Sequence, residues 1–195
     1  MQSFEYLLGL VSILIGIAIA DIALSLHKLT RAVGRVRWHW HSLASTLIVV
    51  LLVLDFWWGL RQLEKTKVTM TIGLFLPMLS ALIAFFLLAA AALPDDIPAE
   101  GVDLESYYDT NRRHFWTLFS IYIFLSSVHV VIIFSALKGW QATVLERLPS
   151  NLLPNLLIIG LAASLTRIRN GWWNSAVLIF LLVALLNSHL TRPLA

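Results

Sequence analysis

The stretch LLVLDFWWGL, residues 51–60, places one aspartate, Asp55, inside a run of leucines and aromatics. Upstream, IGIAIADIALSL, residues 15–26, does the same with Asp21. Each carboxylate interrupts an apolar block long enough to cross a bilayer, for which about 20 residues are needed. Working outward, six such blocks can be drawn, near 6–26, 42–63, 70–93, 115–137, 152–166 and 172–189. The chain is 59% hydrophobic and only 13% charged, with a mean hydropathy of +0.82. A soluble domain is about a quarter charged. The expected fold is therefore an all-α, polytopic transmembrane helix bundle of about six spans with short loops, forming a single domain over 1–195. The fifth block is short and has Pro154 near its start. Four spans followed by a re-entrant pair are the alternative.

Little sequence lies outside the blocks, so any activity has to sit in or at the membrane. The chain has no cysteine, which excludes disulfides and thiolate metal sites. The N-terminus lacks the basic region of a signal peptide and is expected to remain as a span. A net charge of +3 is ordinary for a protein following the positive-inside bias and gives no reason to expect nucleic acid. Loop 1 carries Lys28, Arg31, Arg35 and Arg37, loop 2 carries Arg61, Lys65 and Lys67, and Arg192 is in the C-terminal tail. A basic first loop kept inside puts both termini outside. Most of the tryptophans flank the blocks, as interfacial anchors do.

The longest loop reads PDDIPAEGVDLESYYDTNRRH, residues 94–114. Pro94 ends the third helix. Asp103 is placed to cap the fourth, with Glu105 in its first turn. The six acids of this loop lack the alternating ligand spacing of a calcium loop. They form either a solvated, capped connection or a cation-attracting vestibule.

The pieces VRWHW (36–40), DFWWGL (55–60), LPDD (93–96) and DLESYYDTNRRHFW (103–116) resemble a group of uncharacterised bacterial multi-spanning membrane proteins over roughly the first 120 residues. The resemblance implies a bacterial inner-membrane protein. It carries over no catalytic or binding residue.

Ionisable groups within a span usually face a protein interior or a wet cavity and have a partner. Asp21 and Asp55 lie on antiparallel helices and so in opposite halves of the bilayer. His129 should lie at the depth of Asp55. Tyr122, Ser126 and His129 share one helix face at i, i+4 and i+7. An Asp55–His129 contact would be either a polar clasp between helices or part of a proton or cation relay. His39, His41, Arg112, Arg113 and His114 form a candidate cluster at one interface; His27 and His189 also lie at helix ends. A peripheral haem or metal site using His39, His41, His114 and His27 is the sharpest reading of these histidines. The reading adopted is no cofactor and no metal, because no zinc-binding spacing occurs. Nucleotide-binding, esterase, metalloprotease and potassium-filter motifs are absent as well.

Ser12, Gly16 and Ala20, extended by Gly9 and Ala23, form a line of small residues that would let another helix approach closely. Gly160 and Ser164 repeat the spacing in the fifth block, and Pro77 interrupts the third. These features lead to an expectation of a small oligomeric channel for protons or cations, with Asp21 and Asp55 on the path and His129 tuning it. The alternatives are a non-catalytic accessory or scaffold subunit of a larger membrane complex, and a membrane enzyme acting on lipid or quinone through the interfacial cluster. The expected partners are the lipid bilayer and either a second copy or another membrane protein.

Overall fold

The apolar blocks fold as six helices in a computed structural model. These are α1 (Gln2–Arg31), α2 (Trp40–Lys65), α3 (Ile72–Ala90), α4 (Leu104–Lys138), α5 (Trp140–Arg167) and α6 (Gly171–Leu190). The structure describes residues 2–190 except 67, 68 and 70, with side chains from residue 8 to 188. Lys67, Arg192 and the side chain of His189 lie outside it. All six helices are long and apolar enough to span a membrane, and the chain is an integral membrane helix bundle.

Two elements differ from the sequence-based expectation. The fifth block, expected over 152–166, is the second half of a helix that starts at Trp140 and has 28 residues. Its first part, Thr143–Leu152, is wound as a π-helix. Pro149 lies inside that segment and Pro154 opens the α-helical turns that follow. Neither proline has an N–H to donate to the ladder, and this favours the wider winding. The extra turns give α5 the length of a span, so α5 and α6 form a hairpin of two full-length helices. The second difference is a clip between two loops. Val36–Arg37 (β1) and Val102–Asp103 (β2) pair as short parallel strands, Val36 opposite Val102 and Arg37 opposite Asp103.

The clip explains the acidic loop. Arg37 pairs with Asp103 at 2.9 Å and Lys28 with Asp96 at 3.6 Å, while Arg35 donates to the Ala99 carbonyl at 3.3 Å. Bases of loop 1 therefore hold several points of loop 94–103. Asp103 also caps α4, accepting from the Glu105 N–H at 2.9 Å, as its spacing predicts. Gly101 has φ +102°, and a Cβ there would collide with the Arg35 carbonyl, so this turn requires glycine.

The core follows helix periodicity. Val11, Ile15, Ala18, Ile22, Ser25 and Leu29 form the buried face of α1, which packs on α3. The α3–α4 pair is the most extensive contact. Its aromatic filling includes Phe85 against Tyr122, with ring centroids 5.4 Å apart, and Trp116 against Phe119 at 5.2 Å. α4 also packs on α5, and α2 on α6. Trp116, Phe119, Phe85, Ile48 and Leu88 are all below 2% exposed. They fill the half of the bundle toward the clip. The opposite half is open.

Candidate functional site

The opening lies among α2, α3, α4 and the π-wound part of α5. It is a cavity of about 600 Å³, within the range of small-molecule sites. α2 contributes the face carrying Leu52, Asp55, Gly59, Leu63 and Thr66; α4 contributes Tyr122, Ser126, His129, Ile133 and Leu137. Both sets recur every three or four residues, so each is one helix face. Arg147, Asn151 and Asn155 line the third side.

Depth sorts these residues by chemistry. At about 1.5 Å per residue, Asp55 lies roughly 15 Å below the Lys65 end of α2, and His129 about 13 Å below the Lys138 end of α4. Asp55, Tyr122, Ser126 and His129 therefore form a polar floor near mid-membrane. Leu60, Leu63, Val130 and Ile133 form an apolar waist. Thr66 ends α2 at the mouth, on the face toward which the N-terminal end of α1 points, Arg147 lies below it beside Phe134, and Asn151 lies between Arg147 and the Asn155–Ser127 bond. The cavity accounts for Asp55 in its apolar run: an ionisable group in a span takes a position on a cavity wall.

Asp55, Tyr122, Ser126 and His129 thus meet on one cavity. The Nδ1 of His129 is buried with no hydrogen-bond partner among the described residues. Asn155 donates to the Ser127 hydroxyl at 2.8 Å, tying α5 to α4 beside the floor. Asp21 is elsewhere. It lies on the flank of α1, half-buried, two turns before Lys28, and does not line the cavity. The cavity that takes Asp55 is therefore not lined by Asp21.

The interfacial cluster divides into separate groups. His39 and His41 touch, with Nε2 and Nδ1 3.0 Å apart, and His41 Nε2 lies 3.1 Å from the Ser175 hydroxyl. That hydroxyl spends its proton on the Gly171 carbonyl at 2.8 Å. His41 Nε2–H is therefore the donor to Ser175, and His41 Nδ1 accepts from His39. The His41 ring stacks on Tyr108 at 5.4 Å. Arg112 is 5% exposed and donates to the Ile168 carbonyl at 3.1 Å, at the C-terminal end of α5, where a cation is favoured. Arg113 and His114 are exposed. A cavity of about 10 Å³ near this cluster is lined by Arg112 but by neither histidine pair member nor Arg113 or His114. Among the described residues no group of three His, Cys, Asp or Glu side chains is placed to hold a metal.

The sequence reading did not single out Gly59, Arg147, Asn151 or Asn155. One signal was present: Arg147, Asn151 and Asn155 are four apart and straddle two prolines. Gly59 follows Asp55 by one turn on the cavity wall, and a Cβ there would meet nothing within 4 Å, so this position has room for a larger side chain. Comparison with protein-family models, curated proteins and solved structures finds no significant match. The fold and the site define a six-helix membrane protein with a cavity in the half of the bundle away from the clip.

Proposed function

We propose that this chain is a membrane-embedded binding protein whose cavity takes a small amphiphilic molecule. The observation that carries this reading is the cavity itself: about 600 Å³, with a polar floor, an apolar waist and a polar mouth. Convergent polar groups on a mostly apolar wall fix the orientation of a bound molecule. With the basic first loop inside, in a bacterial inner membrane, the N-terminus lies outside and the mouth opens outward. The packed half of the bundle closes the other end.

Gly59→Leu tests the reading. Gly59 sits on the cavity face of α2 beside open space, and leucine is a better helix former than glycine. The variant should fold with unchanged helicity and lose binding at least tenfold in a screen of amphiphiles against the protein in nanodiscs. Retained binding would place the ligand outside the cavity.

A second reading, proton or cation conduction by an oligomer, is favoured by the carboxylate and imidazole that the cavity brings to mid-membrane. Because the other half of the chain is packed, conduction would require several copies. The line Gly9, Ser12, Gly16, Ala20 and Ala23 on α1 is exposed on the side away from the core. Ion flux in proteoliposomes, compared with Asp55→Asn, tests this reading.

A further inference from the structure

The cavity wall carries a cation, Arg147, that pairs with no carboxylate among the described residues. Arg147 lines the cavity, and its Nε is buried with no hydrogen-bond partner among the described residues. Its guanidinium lies 5.9 Å from the centroid of the Phe134 ring, and the Lys138 ammonium lies 5.2 Å from the same centroid. The adjacent acid, Glu146, pairs with Lys138 at 3.5 Å. Among the described residues no carboxylate pairs with Arg147. The two cations gathered at this ring share one carboxylate, which is engaged by Lys138.

Arg147 is also held in place. Phe134 supports one side of the guanidinium, as aromatic rings do for arginine. The π-wound segment sets Arg147 in line with Asn151, whose Oδ1 is likewise buried and unpartnered. Arg147 lies beside Phe134, one turn before the Lys138 end of α4. A planar guanidinium fork matches a carboxylate or phosphate with two parallel donors.

Resting on the binding reading above, we propose that the ligand of the cavity is an anionic amphiphile whose carboxylate or phosphate head is held by Arg147 while its apolar part occupies the waist. The head can belong to a lipid of the surrounding bilayer or to a free amphiphile. The chemistry at Arg147 is the same in both cases.

The test uses the full chain in phosphatidylcholine nanodiscs and four probes with the same twelve-carbon tail: dodecyl phosphate, dodecanoate, dodecanol and dodecyltrimethylammonium. The two anions should bind at least tenfold more tightly than the cation. Arg147→Gln should abolish that preference, and Arg147→Lys should keep part of it, since charge remains and the fork is lost. Bilayer lipid as the source predicts that phosphatidylglycerol stays on the wild-type chain in native mass spectrometry, leaves Arg147→Gln, and competes with dodecyl phosphate. A free amphiphile predicts no retained lipid and no competition. Equal affinity for anion and cation, or a preference that survives Arg147→Gln in a chain of unchanged helicity, overturns the proposal. If all probes bind equally and Gly59→Leu removes them, the binding reading stands and the head-group assignment falls. If no probe binds, both fall.

Discussion

Arg112 shows how a residue type that looks chemical can be structural. It sits beside a second arginine and a histidine, and the sequence invites a reading as an interfacial reactive cluster. In the fold its neighbours Arg113 and His114 are exposed while Arg112 is buried and donates to the Ile168 carbonyl, which ends α5. The three side chains leave the helix about 100° apart, so adjacency in sequence disperses them. Arg112→Ala should cost about 1–3 kcal/mol, because it leaves a carbonyl at a helix end without its charged donor. The loss would appear as a lower Tm in detergent micelles. Amphiphile binding by the folded fraction should be unchanged, since Arg112 lies at the other end of the bundle from the cavity mouth. A loss of affinity with no change in Tm would instead return Arg112 to the functional site. The floor of the cavity was more legible. Tyr122, Ser126 and His129 share a face by helical spacing alone, and the antiparallel order of the helices brings Asp55 to their depth. What spacing could not tell is that these groups surround a space. That depends on how far α2 and α4 diverge, which is decided by packing elsewhere.

At the scale of elements, four long apolar blocks were readable because length and hydropathy decide a span without reference to tertiary contacts. The fifth block, drawn over 152–166, came out shorter than the helix that holds it because Glu146, Arg147 and Pro149 interrupt the apolar run before it. A π-wound turn absorbs the proline and continues the helix. The clip between β1 and β2 was not readable at all. Two residues per strand carry no periodic signal, and the pairing joins positions 66 apart, set by the return of the chain to the same membrane face. Its energetics can nonetheless be apportioned. Asp103 serves two purposes, capping α4 and pairing with Arg37. Asp103→Ala should cost about 1–2 kcal/mol, most of it from the lost cap. Arg37 is 81% exposed in its side chain, so Arg37→Ala should cost less than about 1 kcal/mol. Thermal unfolding of both variants and of the double variant checks this: an interaction energy close to the whole cost of Asp103→Ala would show that the ion pair, not the cap, holds the loop. Asp103→Asn is the sharper companion. Asparagine caps helices about as well as aspartate, so this variant should behave like Arg37→Ala.

The whole molecule is asymmetric across the membrane, and that asymmetry is its most testable property. One half is sealed by interlocked aromatic and aliphatic side chains of α3 and α4, while the other holds a cavity that reaches from the N-terminal face to mid-membrane. On the binding reading, polar groups such as Asp55 and Ser126 are hydrated through that mouth. The sequence contains no cysteine, so single cysteines can be introduced without background. A thiol reacts as its thiolate, which forms only where water reaches it. Cysteines at Asn151 and Ser126 should therefore react with a charged, membrane-impermeant methanethiosulfonate added on the side of the N-terminus, with Asn151→Cys faster because it lies nearer the mouth. A cysteine at Ser45, which is 2% exposed in the packed half, should resist the reagent from both sides. If the basic first loop faces the cytoplasm, labelling should occur in intact cells, since the mouth then faces outward. Labelling confined to inverted vesicles would reverse the orientation while leaving the one-ended cavity intact. Reaction at Ser126→Cys from both sides is the outcome that would remove it, because the molecule would then hold a water path through its full depth and the conducting reading would displace the binding one.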